Sequence, residues 1–394
     1  MIGATGSIGR SAAAVAVELP SRIRPVALAA GSDWAQACDL ARRFGVEVLA
    51  LADPAAARAA AAELAGTATA VLSGPDGVDE VARWPSADIT LAAASGLAGL
   101  RPVLAALEAG KDVALANKES LVAAGRVVTA AAARHGGRLL PVDGEHCGLF
   151  QCLQTCDGRD VARLWLTASG GPFRTWDAAR IAAATPQEAL RHPVWRMGPR
   201  ITVDSASLMN KGLEVIEAAW LFGLPADRVR VVVHPQGIVH ALVEFTDGVF
   251  LSQCSRPDMR LPIAYALGHP ERWPQADLPA LDPTALGSLG FEPPDPARFP
   301  CLALAYAAAA RGGLFPAALN AADEVAVERF LNGEIGFGQL PAVLEDALGA
   351  HCDGPDDSLE AVLEADAAAR RRARAFRPPA AAAPRHSPAG GMLG

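Results

Sequence analysis

Asp143 and Glu145 stand one residue apart at the end of an apolar run, Arg138-Leu139-Leu140-Pro141-Val142-Asp143-Gly144-Glu145-His146. In an extended segment this spacing puts both acids on one face, roughly 6 to 7 Å apart, with their carboxylates turned toward one point. Two unpaired negative charges aimed at one place are costly without a cation between them, so the pair is a candidate metal site. A strand that ends in polar loop residues is the plainer alternative for an isolated Asp-x-Glu.

Other segments offer complementary chemistry. Gly3-Ala4-Thr5-Gly6-Ser7-Ile8-Gly9 is a G-x-x-G-x-x-G turn followed by a helix-compatible run from Arg10 to Glu18. Glycines at this spacing let the backbone approach a pyrophosphate, and the helix N-terminus adds partial positive charge. Only Met1 and Ile2 precede the turn, where a strand of about 5 residues is usual, so the natural chain is expected to begin further upstream. Gly31-Ser32-Asp33 follows the next strand, with no acid directly at the strand end to grip a ribose 2′-hydroxyl. That leans toward NADPH, while the Asp33 carboxylate would repel a 2′-phosphate; an ordinary turn is the third option. Ala116-Asn117-Lys118-Glu119-Ser120 follows another apolar strand, which sets its polar side chains at the carboxyl edge of a sheet where α/β proteins bind ligands. A helix start capped by Asn117 fits the same residues.

Leu166-Thr167-Ala168-Ser169-Gly170-Gly171-Pro172-Phe173 is a second glycine-containing turn after a strand, suited to holding an anion on backbone N–H groups and the Ser169 hydroxyl, or simply a turn. In Val203-Asp204-Ser205-Ala206-Ser207-Leu208-Met209-Asn210-Lys211-Gly212-Leu213-Glu214, a helix over 210–221 would place Lys211, Glu214 and Glu217 on one polar face and Leu213, Ile216 and Trp220 on the other. A solvated face with i,i+3 ion pairing explains that pattern without any function. His192-Pro193-Val194-Trp195-Arg196-Met197-Gly198-Pro199 has a proline near each end, so Trp195 and Met197 belong to a loop. Large apolar residues on a loop suit a lid that excludes water, or an anchor that pins the loop to the core.

The elements that position these residues follow from composition and rhythm. The chain has 394 residues, 51% apolar and 20% charged, with a net charge of −8. That is room for two or three domains of an ordinary globular protein, and the negative charge argues against nucleic acid or an anionic membrane as partner. No apolar run is long enough and free enough of charge for a membrane helix, and no basic-then-apolar signal opens the chain. Seven scattered cysteines without a C-x-x-C pair fit reduced thiols, as in a cytoplasm.

Residues 1–142 alternate short apolar runs (25–30, 46–52, 89–94, 112–116) with helical patterns (34–44, 100–109), which predicts a parallel, Rossmann-like sheet covered by helices. From 143 to 268 the strands lengthen, as at 229–234 and 238–245, and predict a separate central α+β domain. Residues 269–300 are proline-rich and read as a connecting arm. Helical patterns at 301–310, 318–331, 337–348 and 358–376 predict a C-terminal helical bundle, followed by an Ala/Pro/Gly-rich tail over 377–394 that reads as disordered. The fold class is therefore α/β, with an added α+β unit and a bundle.

Taken in order, G-A-T-G-S-I-G, L-A-N-K-E-S-L-V, P-V-D-G-E-H, S-G-G-P-F, H-P-V-W-R-M-G and M-N-K-G-L-E resemble the 1-deoxy-D-xylulose 5-phosphate reductoisomerase family. The resemblance runs from about Gly3 to about Phe376 and includes P-D-M-R-L-P-I-A-Y-A-L at 257–267 and L-N-A-A-D-E-V-A-V at 319–327. It implies that Asp143, Glu145 and Glu214 ligate Mg2+ or Mn2+, with Co2+ a third candidate; three carboxylates with substrate oxygens and water suit such a cation. It places Ser169, Ser205, Asn210 and Lys211 chiefly around a substrate phosphate, with Lys118, Gly144 and His192 at further substrate contacts and Trp195 and Met197 on the lid. Catalytic duty would fall on Asp143, Glu145, Glu214, Lys118 and His192. Gly3, Thr5, Gly6, Ser7, Ile8, Gly31, Ser32, Asp33, Asn117, Glu119 and Gly198 match positions of the NADPH site. The implied reaction opens a carbon–carbon bond of deoxyxylulose phosphate by a metal-assisted retro-aldol step, re-forms it as a branched aldehyde and reduces that to 2-C-methyl-D-erythritol 4-phosphate, an early intermediate of non-mevalonate isoprenoid synthesis. A homodimer in a bacterial cytoplasm completes the implied picture.

The departures from the family pattern are local. Gly144 stands where the family usually has serine, and one lost hydrogen bond to substrate is worth about 0.5 to 1.5 kcal/mol. Cys147-Gly148 replaces the usual Asn-Ala, and Asp33 and Asp323 stand where asparagine is common. Gly144 motivates an alternative, an NADP-dependent reductase of another sugar phosphate. The short start and Asp33 motivate a second, a non-catalytic dinucleotide-binding homologue.

Overall fold

Six short strands rich in Ala, Val and Leu build the N-terminal half: β1 (Ala27–Ala30), β2 (Val48–Leu51), β3 (Ala70–Ser73), β4 (Ile89–Ala92), β5 (Asp112–Leu115) and β6 (Leu139–Pro141). The computed structural model describes residues 1–155, 158–195, 197–275, 277–349 and 353–377. β1 and β2 are buried along their whole length, as strands of a parallel sheet covered on both faces must be. The strands pair in parallel as β1-β2-β3 and β4-β5-β6. Ile2 joins the two sets, because it forms parallel bridges to Ala29 and to Ala92 at once. Its N–H donates to Leu91 O at 2.8 Å, and its carbonyl accepts from Ala93 N at 3.0 Å. Ile2 thus lies between the two strand sets, and the glycine turn begins immediately after it.

The helix over Trp34–Phe44 has the bounds read from the sequence, capped by Asp33. The helices over Pro54–Glu63 and Gly74–Ala82 and strand β3 were not predicted. The Lys118–His135 helix follows β5 directly and is capped by Asn117, so the sheet-edge and helix-start readings of this segment are both correct. Gly125 in that helix lacks a Cβ that would collide with the Trp220 ring, which lets the helix pack closely on the one over Met209–Phe222.

The second sheet contains β7 (Val161–Ala168), β8 (Val229–Val233), β9 (Val239–Phe245) and β10 (Phe250–Cys254) in the order β10-β9-β7-β8. β10 is an edge strand, and Val249, Phe250 and Leu251 beside or on it are exposed. The arm over 269–300 is irregular and returns to the sheet, where Glu292 pairs with Val233. Helices follow over Pro300–Arg311, Phe315–Leu331, Leu340–Gly349 and Leu359–Ala375. The second sheet and these helices share one core that runs from Leu164 and Leu166 through Phe173 to Phe330 and Ala373. Of the tail expected to be disordered, 378–394 lies outside the described residues. No helix among the described residues is long and apolar enough to cross a membrane.

Candidate active site

β6 ends at Pro141, and Asp143 is the N-cap of the Gly144–Leu153 helix. Its Oδ1 accepts from the backbone N–H of Glu145 at 3.1 Å and of His146 at 3.4 Å. The expectation that Asp143 and Glu145 share one face of an extended strand is therefore incorrect. The unsatisfied N–H groups and positive end of a helix capture the first carboxylate, and the second rides on its first turn. The two acids still converge, because Glu214 from the Met209–Phe222 helix joins them with ligand oxygens within 4.8 Å of one another.

The solvated polar face that would explain this helix's pattern without any function is not observed. Lys211, Glu214 and Glu217 are all buried, with Glu214 at 0% exposure. The i,i+3 pair exists, Lys211 Nζ to Glu214 Oε2 at 2.6 Å, but it lies inside the protein. Lys211 also reaches Glu145 Oε1 at 2.8 Å. Lys118 Nζ donates to Asn210 Oδ1 at 2.7 Å and lies 3.2 Å from both Asp143 Oδ2 and Glu214 Oε1. Two ammonium groups thus interleave three carboxylates, a concentration of buried charge of the kind found where a charged ligand binds.

Burial opposes the charge on Lys118, yet Glu214, Asp143, Glu217 and Glu145 outweigh it and hold the ammonium well above its ordinary range. Asp143 is held well below the usual carboxylate range, because Lys118 and His146 outweigh its burial. Glu145 goes the other way: burial, then Glu214 and Asp143, push it up to about 8 against the pull of Lys211. A proton on Glu145 relieves crowding that a divalent cation would relieve better, and three hard oxygen donors are what Mg2+ takes, so the residues fit the ion.

His146 backs this cluster. Its Nε2 meets Glu214 O at 2.9 Å, and its Nδ1 lies 3.2 Å from Asp143 Oδ1 and 3.5 Å from Glu217 Oε2. Burial disfavours the imidazolium, but Glu217 and Asp143 raise it to about 9. Sequence reasoning missed this role; i,i+3 spacing from Asp143 would have revealed it had the segment been read as a capped helix.

Some of the remaining polar groups gather around His192. Its Nε2 lies 3.1 Å from Ser169 Oγ and 3.0 Å from Ser205 Oγ. Its Nδ1 accepts from the backbone N–H of Trp195 at 2.8 Å and Val194 at 3.2 Å. With Nδ1 occupied as an acceptor, the ring proton belongs on Nε2, facing the two hydroxyls. Burial, then Lys211, lowers His192 to about 4, so the ring stays neutral at neutral pH. Leu208 sits at φ 59° between the helices over Pro199–Ala206 and Met209–Phe222. A left-handed conformation is costly for a residue with a Cβ, and here it reverses the chain so that Ser205 and Asn210 point into one cavity. No sequence signal announces it.

That cavity has a volume of about 680 Å³. From the expected substrate and metal set it is lined by Lys118, Asp143, Gly144, Glu145, Ser169, His192, Trp195, Met197, Ser205, Asn210, Lys211 and Glu214. From the expected dinucleotide set Gly6, Ser7, Ile8, Glu119 and Gly198 line it, while Gly3, Thr5, Gly31, Ser32, Asp33 and Asn117 do not. Asn117 serves beneath the cavity, where Nδ2 donates to Ala94 O at 2.7 Å and Gly96 O at 2.9 Å. Gly3 (φ 78°) leaves room that a Cβ would take from the Ala93 carbonyl, and Gly9 does the same for Ala4 and Gly3, so the turn lies flat against the sheet edge with the helix N-terminus open. This cradle fits a pyrophosphate. Arg10, Ser95 and Arg200 also line the cavity and were not anticipated.

Gly144 opens onto space, since a Cβ there would meet only His240 Nδ1 at 3.8 Å. A Cβ at Gly148 would press on Ala241 Cβ at 3.2 Å, so this glycine sets the close approach of its helix to β9. Burial pushes the Cys147 thiol up to about 12, which makes it an inert packing group.

Comparison with known proteins gives concordant results. Sequence profiles for 1-deoxy-D-xylulose 5-phosphate reductoisomerase and its C-terminal domain match residues 1–125 and 139–222, and one for the DXP reductoisomerase C-terminal domain matches 254–372. The 1-deoxy-D-xylulose 5-phosphate reductoisomerases of Heliobacterium modesticaldum and Anaeromyxobacter dehalogenans are 50% and 51% identical over 373 residues, covering 94% and 95% of this chain and 95% of each relative. A solved DOX-P reductoisomerase in complex with NADPH, fosmidomycin and magnesium superimposes with a TM-score of 0.91 at 40% identity, over 95% of this chain and 96% of that one. The enzyme from Zymomonas mobilis in complex with NADPH gives 0.88 at 42%, over 94% and 96%. Profile, sequence and fold agree over nearly the whole length, and the chain belongs to the 1-deoxy-D-xylulose 5-phosphate reductoisomerase family.

Proposed function

We propose that this protein converts 1-deoxy-D-xylulose 5-phosphate to 2-C-methyl-D-erythritol 4-phosphate, using NADPH and a divalent cation, in non-mevalonate isoprenoid synthesis. The observation that carries this reading is the cluster of Asp143, Glu145 and Glu214 at one cavity with the glycine turn at Gly6. It is an NADP-dependent oxidoreductase and isomerase. When bound, the cation supplies Lewis acidity toward neighbouring substrate oxygens, and NADPH supplies the hydride.

The chain's own residues do the rest. Asp143, Glu145 and Glu214 hold Mg2+, and Mn2+ or Co2+ would meet the same oxygen set. Lys118, fully charged and 2.7 Å from Asn210, stabilises negative charge that develops on the substrate beside the carboxylates. Ser169, Ser205, neutral His192, Asn210 and Lys211 bind and orient the phosphorylated end, with His192 donating from Nε2. Gly6, Ser7 and Ile8 receive the pyrophosphate of the dinucleotide, with Glu119 and Gly198 near its reactive end. Trp195 and Met197 cover the cavity and exclude water from the aldehyde stage. We divide the chain into 1–142 for the dinucleotide, 143–268 for catalysis, a 269–300 arm and a 301–376 helical unit. A cytoplasmic homodimer that meets along β10 completes the proposal; the exposed Val249, Phe250 and Leu251 support that surface.

The test is NADPH oxidation in the presence of deoxyxylulose phosphate and Mg2+. A chelator abolishes turnover and added Mg2+ restores it, while Glu214→Ala lowers kcat by at least about 100-fold. Unchanged kcat in Glu214→Ala would rule out the three-carboxylate site.

A further inference from the structure

The Pro199–Ala206 helix carries Ser205 toward His192, and one residue earlier it carries Asp204 toward the Phe315–Leu331 helix. Asp204 and Asp323 are both 3% exposed, and their carboxyl groups flank the same Arg200 guanidinium, so that each bears on the ionisation of the other. Asp204 Oδ1 and Asp323 Oδ2 have no hydrogen-bond donor among the described residues. Two buried acceptors are stable neighbours only when one of them carries a proton.

The surroundings do not supply enough positive charge to ionise both. Arg200 Nε is 3.8 Å from Asp204 Oδ2, and its Nη2 is 3.7 Å from Asp323 Oδ2. Its short contacts go elsewhere, to Glu119 and Glu324 at 2.8 Å each and to Asn320 at 3.1 Å. Glu324 is shared with Arg370 at 2.6 Å, which also holds Asp366 at 2.7 Å. Two guanidiniums therefore serve five carboxyl groups. Lys118 acts on Asp204 from the Lys118–His135 helix, but its hydrogen bonds are spent at the metal cluster. Cys301, from the Pro300–Arg311 helix, is a neutral thiol.

We propose that Asp204 and Asp323 share one proton and form a positioning pair, which ties the helix bearing Ser205 to the C-terminal helices and releases it when the proton leaves. Burial raises Asp323 well above the ordinary carboxylate range, with Asp204 adding to the effect, whereas Asp204 reaches about 6 with Arg200 opposing. The proton accordingly resides on Asp323 at neutral pH. Its loss replaces a buried hydrogen bond by two like charges, so the phosphate end of the cavity slackens at alkaline pH, independently of the titration of Glu145 and His146 in the carboxylate cluster.

The KM arm of the test rests on the substrate proposed above; the stability arm does not. A carboxyl with a raised folded-state pKa binds its proton more tightly folded than unfolded, so stability falls as pH rises from the unfolded pKa through the folded one. Asp323→Asn keeps the shape and donates an amide N–H to Asp204 at every pH. The Tm of the ligand-free wild type falls relative to Asp323→Asn as pH rises above about 6, and the ratio of wild-type to variant KM for deoxyxylulose phosphate rises by about three- to tenfold toward alkaline pH, the worth of one buried hydrogen bond, with kcat following the same course in both. Parallel Tm curves would overturn the shared proton. Diverging Tm curves with identical KM profiles would overturn the positioning role. If Asp323→Asn does not fold, Asp204→Asn makes the same exchange from the other side. Absence of turnover with deoxyxylulose phosphate would count against the proposed substrate and leave the Tm comparison readable.

Discussion

One hydroxymethyl group separates Gly144 from a serine, and the space it would occupy is open toward His240 Nδ1. Gly144→Ser should therefore fold without strain and add a hydrogen bond beside the two ligand acids. An increase in kcat/KM of about 2- to 12-fold is expected in steady-state assays, and no change would mean that the position does not face substrate. Such single positions were the most legible part of the site, because residue type carries chemistry directly: acids at 143, 145 and 214, hydroxyls at 169 and 205, amines at 118 and 211. Leu208 and His146 were not legible. A left-handed leucine has no sequence signature, and the function of His146 depends on a cap geometry that an alternating apolar run does not reveal.

At the scale of elements, the turn after Ile2 is the most constrained. Both Gly3 and Gly9 are held by backbone carbonyls that leave no room for a methyl group. Gly9→Ala is expected to cost about 1 to 3 kcal/mol in urea unfolding and to weaken NADPH binding in a fluorescence titration, because the helix N-terminus must shift to admit the Cβ. A variant with wild-type stability and affinity would show that the turn is looser than its contacts indicate. Periodicity located most elements, including the Trp34–Phe44 helix and the bundle. It misread one face and left another open. The pattern of Leu139 to Val142 continued a strand across the point where Asp143 starts a helix, and the polar stripe of the Met209–Phe222 helix fitted solvent as well as a site. Amphipathicity separates two faces of a helix but does not say which is covered. Here the cover comes from Lys118, which lies 96 residues away in sequence from its partner Glu214.

At the scale of the molecule, the edge strand β10 exposes Val249 (51%), Phe250 (50%) and Leu251 (39%). Apolar side chains along an unpaired edge invite a second chain, and the proposed homodimer would cover them. Phe250→Glu should convert a dimer to a monomer in light scattering without loss of secondary structure, whereas an unchanged dimer mass would move the interface elsewhere. The sequence conveyed the order of the three parts but not that the second sheet and the C-terminal helices share a core, since contacts such as Phe173 with Phe337 join distant segments. Nor did it show how the parallel sheet is completed. Its two strand sets are bridged at Ile2 above a core they share through Ala27, Val48, Leu100 and Val113, and the turn that would receive a dinucleotide starts at the next residue. Any ligand gripped there works as a rivet on a seam: binding free energy gained at the turn is withdrawn from every state in which the half-sheets part. Cofactor affinity and the cohesion of the N-terminal half are then one quantity read from two sides, and apo and loaded enzyme should differ less in shape than in how readily that seam opens.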